Sequence, residues 1–141
     1  METKPEASSW QREAELVREV QRAVDALLTA HATNDVDGYL EAFAERARIV
    51  LSSEPAALPS RAALAEILAD HTQVESCFTW DRHVTLVNTG AALASHVLST
   101  HFVGVPEPVR EHETLVLRRS PTAAWRVVSL HRSRLLLDWV G

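Results

Sequence analysis

Apolar residues recur every three to four positions between Trp10 and Ala32: Leu16, Val20, Val24, Leu27, Leu28 and, near the end, His31. That spacing predicts one amphipathic helix with a single buried stripe. The opposite face carries Arg12, Glu15, Arg18, Glu19 and Arg22, placed to pair with one another in solvent. Thr33-Asn34-Asp35 breaks the pattern and offers side-chain oxygens to cap a second helix, Val36 to Ala44, with Tyr39, Leu40 and Phe43 inward. The β-branched run Arg48-Ile-Val-Leu-Ser52 predicts a short strand, and Pro55 and Pro59 confine the stretch 54–60 to loop or sheet edge. Ser60 caps a third helix, Arg61 to His71, with Leu64, Ile67 and Leu68 on one side.

Beyond this point the period changes to two. Strands are expected over Ser76–Asn88, Ala92–Val103, Val109–Arg119 and Trp125–Arg134, with turns at Asn88-Thr89-Gly90, at Gly104–Pro108 and after Arg119. Helices followed by a meander predict an α+β fold, with N-terminal helices packed on a curved, mostly antiparallel sheet and a pocket between the two layers. Residues 1–9 are expected to be disordered, 10–134 to form one domain, and 135–141 to be an apolar tail. Trp139 in that tail should pack on the domain's own edge or on a second subunit.

Composition narrows the function. A chain of 141 residues is most simply one domain, with enough core to need no staples. The net charge of −5 argues against a nucleic-acid partner. The N-terminal stretch has no apolar signal core, and no apolar run reaches membrane length, so no membrane association and a cytoplasmic location are expected. Cys77 is the single cysteine, and heavy use of Ala, Arg, Leu and Val suggests a bacterial source. There are four glycines, with no phosphate-binding loop, no Gly-x-Ser-x-Gly, no His-Glu-x-x-His and no Cys-x-x-Cys. No cofactor and no metal are therefore expected.

The helix–turn–helix Leu27-Leu-Thr-Ala-His-Ala-Thr-Asn-Asp-Val-Asp-Gly-Tyr-Leu-Glu-Ala-Phe-Ala44, the strand Ala47-Arg-Ile-Val-Leu51 and the closing pair Leu115-Val-Leu-Arg-Arg and Trp125-Arg-Val-Val-Ser-Leu-His131-Arg-Ser133 resemble the SnoaL-like group of the nuclear-transport-factor-two superfamily. The resemblance covers residues 16–133. It implies a cone-like α+β barrel with a pocket between helices and concave sheet, and commonly a homodimer formed through the convex face. The group includes cyclases, isomerases, dehydratases and epoxide hydrolases, and also association domains without chemistry, so fold alone does not choose among them. In the steroid-isomerase branch a Tyr lies on the first helix and a general-base Asp just after the first strand. The matching positions here are Leu27 and Leu51, which removes that branch's proton-transfer pair.

Strand alternation supplies the candidate chemistry. Trp125, Val127, Ser129 and His131 share one face of the last strand, and the Trp and Val mark it as the inward one. Pairing Arg119 with Trp125 sets Glu113 opposite His131, and a turn at Pro106-Glu107 brings His101 to Glu113 as well. A His beside a carboxylate in an apolar cavity is suited to general acid–base work. This row is exposed to any slip in register, because one residue flips every side chain to the other face. Tyr39, Phe43, Trp80, Leu115, Trp125 and His31 are the expected substrate-binding walls. Each also has a plain reading as core packing, a capped helix end or a solvated strand position. Asp81 offers an acid, and His83 with His96 a metal pair, but two His without further ligands at metal spacing make a weak site. The expected function is a cofactor-independent cyclase or isomerase that moves a proton on a small apolar, polyketide-like substrate in secondary metabolism. The alternatives are a ligand-binding or dimeric association domain and a regulatory accessory subunit docking through the Trp139 tail.

Overall fold

The computed structural model describes residues 5–135. Helix α1 (Pro5–Ala32) starts well ahead of the buried stripe, which begins at Leu16. The stripe is buried as expected: Leu16, Val20, Val24 and Leu27 are all at most 1% exposed. Asn34, in the left-handed region at φ 60°, ends the helix. Its side chain both accepts from Val74 N (2.6 Å) and donates to Val74 O (2.9 Å), which ties this corner to the far end of the sheet. Asp35 then caps α2 (Val36–Glu41) by accepting from Gly38 N at 3.0 Å. A Cβ on residue 38 would collide with that carboxylate, so the cap needs glycine here.

Helix α2 is shorter than its sequence suggests, and the first strand longer. β1 (Phe43–Val50) starts at Phe43, with Phe43, Ala47 and Ile49 fully buried. The uneven spacing of those three follows an irregularity in the pairing between Phe43 and Arg48, which hides the strand from a period-two reading. Helix α3 (Arg61–Ala69) is capped by Ser60, which accepts from Ala63 N. Four further strands follow: β2 (Val74–Asn88), β3 (Ala91–Phe102), β4 (Val109–Arg119) and β5 (Trp125–Arg134).

The five strands form one sheet in the order β1-β5-β4-β3-β2. β1 runs parallel to β5, and every other neighbouring pair is antiparallel. α1 covers the concave face and packs mainly on β2, while α3 packs on β1 and α2. The closed core between them joins Phe43, Ile49, Leu115, Leu117, Val127 and Leu130 to the α1 stripe. No helix among the described residues is long and apolar enough to cross a membrane. The Trp139 tail lies outside the described residues.

Two bulges set the aim of the inward-facing polar side chains. In β2, Trp80 pairs with Val97 and His83 with Ser95, so Asp81 and Arg82 together face His96. Asp81 takes φ 58° to do this. In β5, Leu117 pairs with Val127 and Val116 with Ser129, so Val128 is the extra residue. Each bulge re-aims the side chains beyond it.

Candidate functional site

The expected row of His101, Glu113 and His131 does not form. The hairpin pairs Arg119 with Trp125 as predicted, but the bulge at Val128 shifts the phase. His131 then pairs with Thr114 on the outer face, exposed to solvent, and Arg132 takes the inward place opposite Glu113. The β3–β4 connection turns nearer Gly104, at φ 80°, than Pro106. Glu113 consequently meets His96 instead of His101. His101 pairs with Ser76 and donates from Nε2 to Val105 O at 2.8 Å.

Of the expected walls, Tyr39 and His31 line a cavity. Phe43 and Leu115 are sealed in the core at 0% exposure, and Trp125 is buried beneath α1, donating from Nε1 to Glu19 Oε1 at 3.0 Å. Trp80 is on the outer face of the sheet, 41% exposed, with its ring 5.7 Å from that of Phe78. Leu27 is core and Leu51 is cavity wall. His83 is exposed and bonded to Asp81 at 3.2 Å, paired in register with Ser95 and not with His96.

The cavity, about 210 Å³, opens where α1 ends, α2 and α3 meet, and β4 and β5 project past the core. Val36, Leu51, Ile67, Leu68, Phe102 and Val109 make most of its wall apolar. Its polar groups include His31, Tyr39, Glu111 and Arg132, with Asp35, Ser52, His71 and Arg134 beside them. Their charge states differ by environment. Burial, helped by the nearby Arg132 charge, drives His31 down to about 3, so its ring is neutral at neutral pH; its Nε2 lies 3.2 Å from Thr100 Oγ1. Burial pushes the Tyr39 hydroxyl up to about 12, against the opposing pull of Arg132, and keeps its proton on. Burial and Arg132 likewise lower His71. Glu111, 6% exposed, accepts from Ser52 Oγ.

Arg132 is the hub. Its Nε donates to Glu113 Oε2 at 2.5 Å and its Nη2 to Tyr39 Oη at 3.0 Å. Burial works against its charge, but Tyr39, Glu113 and Glu111 outweigh that and hold the guanidinium firmly protonated. For Glu113 burial pulls upward, yet Arg132 and the bond from His96 win and lower its carboxyl to about 2. Arginine can only donate, so the Tyr39 oxygen accepts from it and the phenolic O–H is left to point elsewhere. Because Tyr39 lines the cavity, that O–H is available to a guest.

Sequence reasoning missed Arg132, Glu111 and Ser52, and set His96 against His83 instead of Glu113. One signal was present: Leu130 is apolar and out of phase with Trp125 and Val127, which marks the bulge before Arg132.

No family model matches the chain, and no curated protein matches it in sequence. Solved structures do match in three dimensions. A ketosteroid isomerase-like protein from Erwinia carotovora atroseptica superposes with a TM-score of 0.76 at 20% identity, over 85% of this chain and 96% of that one. A nuclear-transport-factor-two-like protein of unknown function from Pseudomonas putida gives 0.76 at 12% identity, over 91% and 93%. ActVI-ORFA from Streptomyces coelicolor gives 0.70 at 20% identity, over 89% and 99%. The resemblance to the SnoaL-like, nuclear-transport-factor-two-like superfamily holds at the level of the fold, a cone-shaped α+β barrel.

Proposed function

We propose that the protein is a cofactor-independent acid–base enzyme, of cyclase or isomerase type, acting on a small, largely apolar carbonyl compound. The observation that carries this reading is the convergence of Glu111, Tyr39 and Arg132 on one mostly apolar cavity. In the proposed step the substrate carbonyl oxygen accepts from Tyr39 O–H and an Arg132 N–H. Glu111, steadied by Ser52, takes a proton from the carbon next to that carbonyl. The electron pair of the broken C–H bond forms a C=C bond, and the negative charge moves to the oxygen held by Tyr39 and Arg132. Return of the proton from Glu111 to a different carbon isomerises the substrate. Attack of the nucleophilic carbon on a second carbonyl closes a ring, and Glu111 then gives its proton to the new alkoxide. His31, with its pKa near 3, is too weak a base for this step and serves as a neutral hydrogen-bond partner.

The charges on the lining residues balance, with Asp35 and Glu111 against Arg132 and Arg134, which favours an uncharged guest. The test is deuterium uptake from D2O into small cyclic and linear dicarbonyl compounds, followed by NMR. Wild-type protein is expected to accelerate uptake at the carbon flanked by carbonyls, and Tyr39→Phe to slow it by about 10²–10³-fold, the usual effect of losing one oxyanion donor. Compounds that raise the melting temperature but never exchange would favour the ligand-binding alternative.

The second part of the proposal is a homodimer through the outer sheet face, where Phe78 is 61% exposed beside Trp80, and Leu93, further along β3, is 41% exposed. Exposed rings of this size commonly mark an interface. Light scattering is expected to give twice the chain mass for wild type and the single-chain mass for Phe78→Ser combined with Trp80→Ser. A single-chain mass for wild type would end this part.

A further inference from the structure

We infer that Asp25, Arg82, His96 and Glu113 are positioning residues, a hydrogen-bonded row that crosses the concave sheet and holds the Arg132 guanidinium, and through it Tyr39, at the cavity. The inference rests on the acid–base reading of that cavity. The row begins on α1, where Asp25 Oδ1 accepts from Arg82 Nη1 at 2.6 Å. Arg82 is pinned twice more: Nη2 donates to Thr79 Oγ1 at 3.4 Å, and Nε to His96 Nδ1 at 3.3 Å. His96 Nε2 lies 2.8 Å from Glu113 Oε1, and Glu113 Oε2 accepts from Arg132.

The direction of every link follows from donor chemistry. A guanidinium Nε only donates, so His96 Nδ1 accepts and carries no hydrogen. The ring's remaining proton is then on Nε2, aimed at the Glu113 carboxylate. Arg82 and Glu113 thus demand the same tautomer of His96, one from each side of the ring. Glu113 receives one donor on each oxygen, which leaves its carboxylate no rotation that keeps both bonds.

The construction of the row argues for a purpose beyond folding. His96 and Glu113 are both 0% exposed, with buried Ala94 and Leu98 on either side of His96 and buried Leu115 next to Glu113 on the same face. Apolar side chains of similar size stabilise such a layer at least as well as buried ions do. Both ends of the row also depend on irregular backbone. The β2 bulge, with Asp81 in the left-handed region, brings Arg82 in front of His96. The β5 bulge at Val128 brings Arg132 in front of Glu113. Backbone strain and bulges of this kind persist where side-chain aim matters.

The test needs no substrate, so it stands or falls separately from the proposed reaction. At neutral pH, 15N-correlated spectra of the histidine rings are expected to show His96 protonated on Nε2 and bare on Nδ1. The Arg132 Nε–H, assigned by its loss in Arg132→Lys, is the reporter at the cavity end. His96→Leu is expected to speed exchange of that proton by about tenfold or more, the factor for losing a charge-assisted hydrogen bond. His96→Gln, whose amide can accept from Arg82 and donate to Glu113, should restore slow exchange. Arg82→Met, on a partly exposed side chain, gives the same reading should His96→Leu not fold. It is expected to speed exchange at Arg132 Nε–H while the Glu113 carboxylate keeps the His96 proton on Nε2. An unchanged Arg132 signal in folded Arg82→Met, or wild-type His96 protonated on Nδ1, overturns the inference.

Discussion

Glu113→Gln is expected to lower the free energy of unfolding by about 3–5 kcal/mol, the usual result of stripping one partner from a buried ion pair. The substitution keeps shape and changes only chemistry. Both partners of Glu113 donate, His96 from Nε2 to one oxygen and Arg132 from Nε to the other. A glutamine must turn its NH2 toward one of these donors, whichever way it is flipped. His96 has no second tautomer to offer, because Arg82 already occupies Nδ1. Arg132 is also left without its counter-charge beside Tyr39. Urea unfolding is the measurement: the midpoint should fall with the slope unchanged.

The same substitution predicts a pH signature. Folding lowers the Glu113 carboxyl from 4.5 to about 2, so its contribution is complete above 4.5 and fades as pH falls toward 2. At about 1.4 kcal/mol per pH unit, that difference comes to about 3 kcal/mol. His31 acts over a higher window, since its ring takes a proton near 6.5 when unfolded but only near 3 when folded. Stability therefore rises with pH between those values as well. Wild-type protein should begin to weaken below 6.5 and weaken faster below 4.5. The gap between wild type and Glu113→Gln should narrow as pH drops from 4.5 toward 2. A gap of constant size across that range would mean that Glu113 does not carry its charge against Arg132.

Glu111→Gln is the second large effect, this time on turnover. Removal of a general base is expected to slow deuterium uptake by about 10²–10⁴-fold. Glutamine retains an acceptor for Ser52 Oγ, the partner of Glu111 in the cavity wall, so folding and ligand binding should change little. The discriminating pattern is therefore a lost rate with retained affinity, read from exchange kinetics beside a thermal-shift titration. Full exchange activity in this variant would remove Glu111 from the mechanism. Equal loss of affinity and rate would make it a binding group only.

The fold was largely legible because most of it obeys simple periods. The α1 stripe from Leu16 to Leu27, the cap at Asp35, the cap at Ser60 and the register of Arg119 with Trp125 all follow from spacing and side-chain chemistry. The site was not legible, because each of its decisive side chains sits past an irregularity. Arg132 follows the extra Val128, Arg82 belongs to the β2 bulge, and Glu113 meets His96 because the β3–β4 loop turns around Gly104. Strict alternation assigns the opposite face to His131 and Arg132 once a single residue has been added. Glu113 is inward, as alternation predicts, but with different partners. Glu111 shares that face in any register, two residues before Glu113, yet alternation gives it no ionisable residue opposite and so no signal of its own.

Helix α3 supplies Leu64, Ile67 and Leu68 to the cavity while packing on β1 and α2 rather than on the strands that carry Glu111, Glu113 and Arg132. The roof and the reactive floor are therefore built from separate parts of the chain. Changes at Ile67 or Leu68 alter the shape of the guest that fits and leave the charged groups beneath it in place. Such a division lets descendants of one protein diverge in what they accept while inheriting the same way of handling a proton.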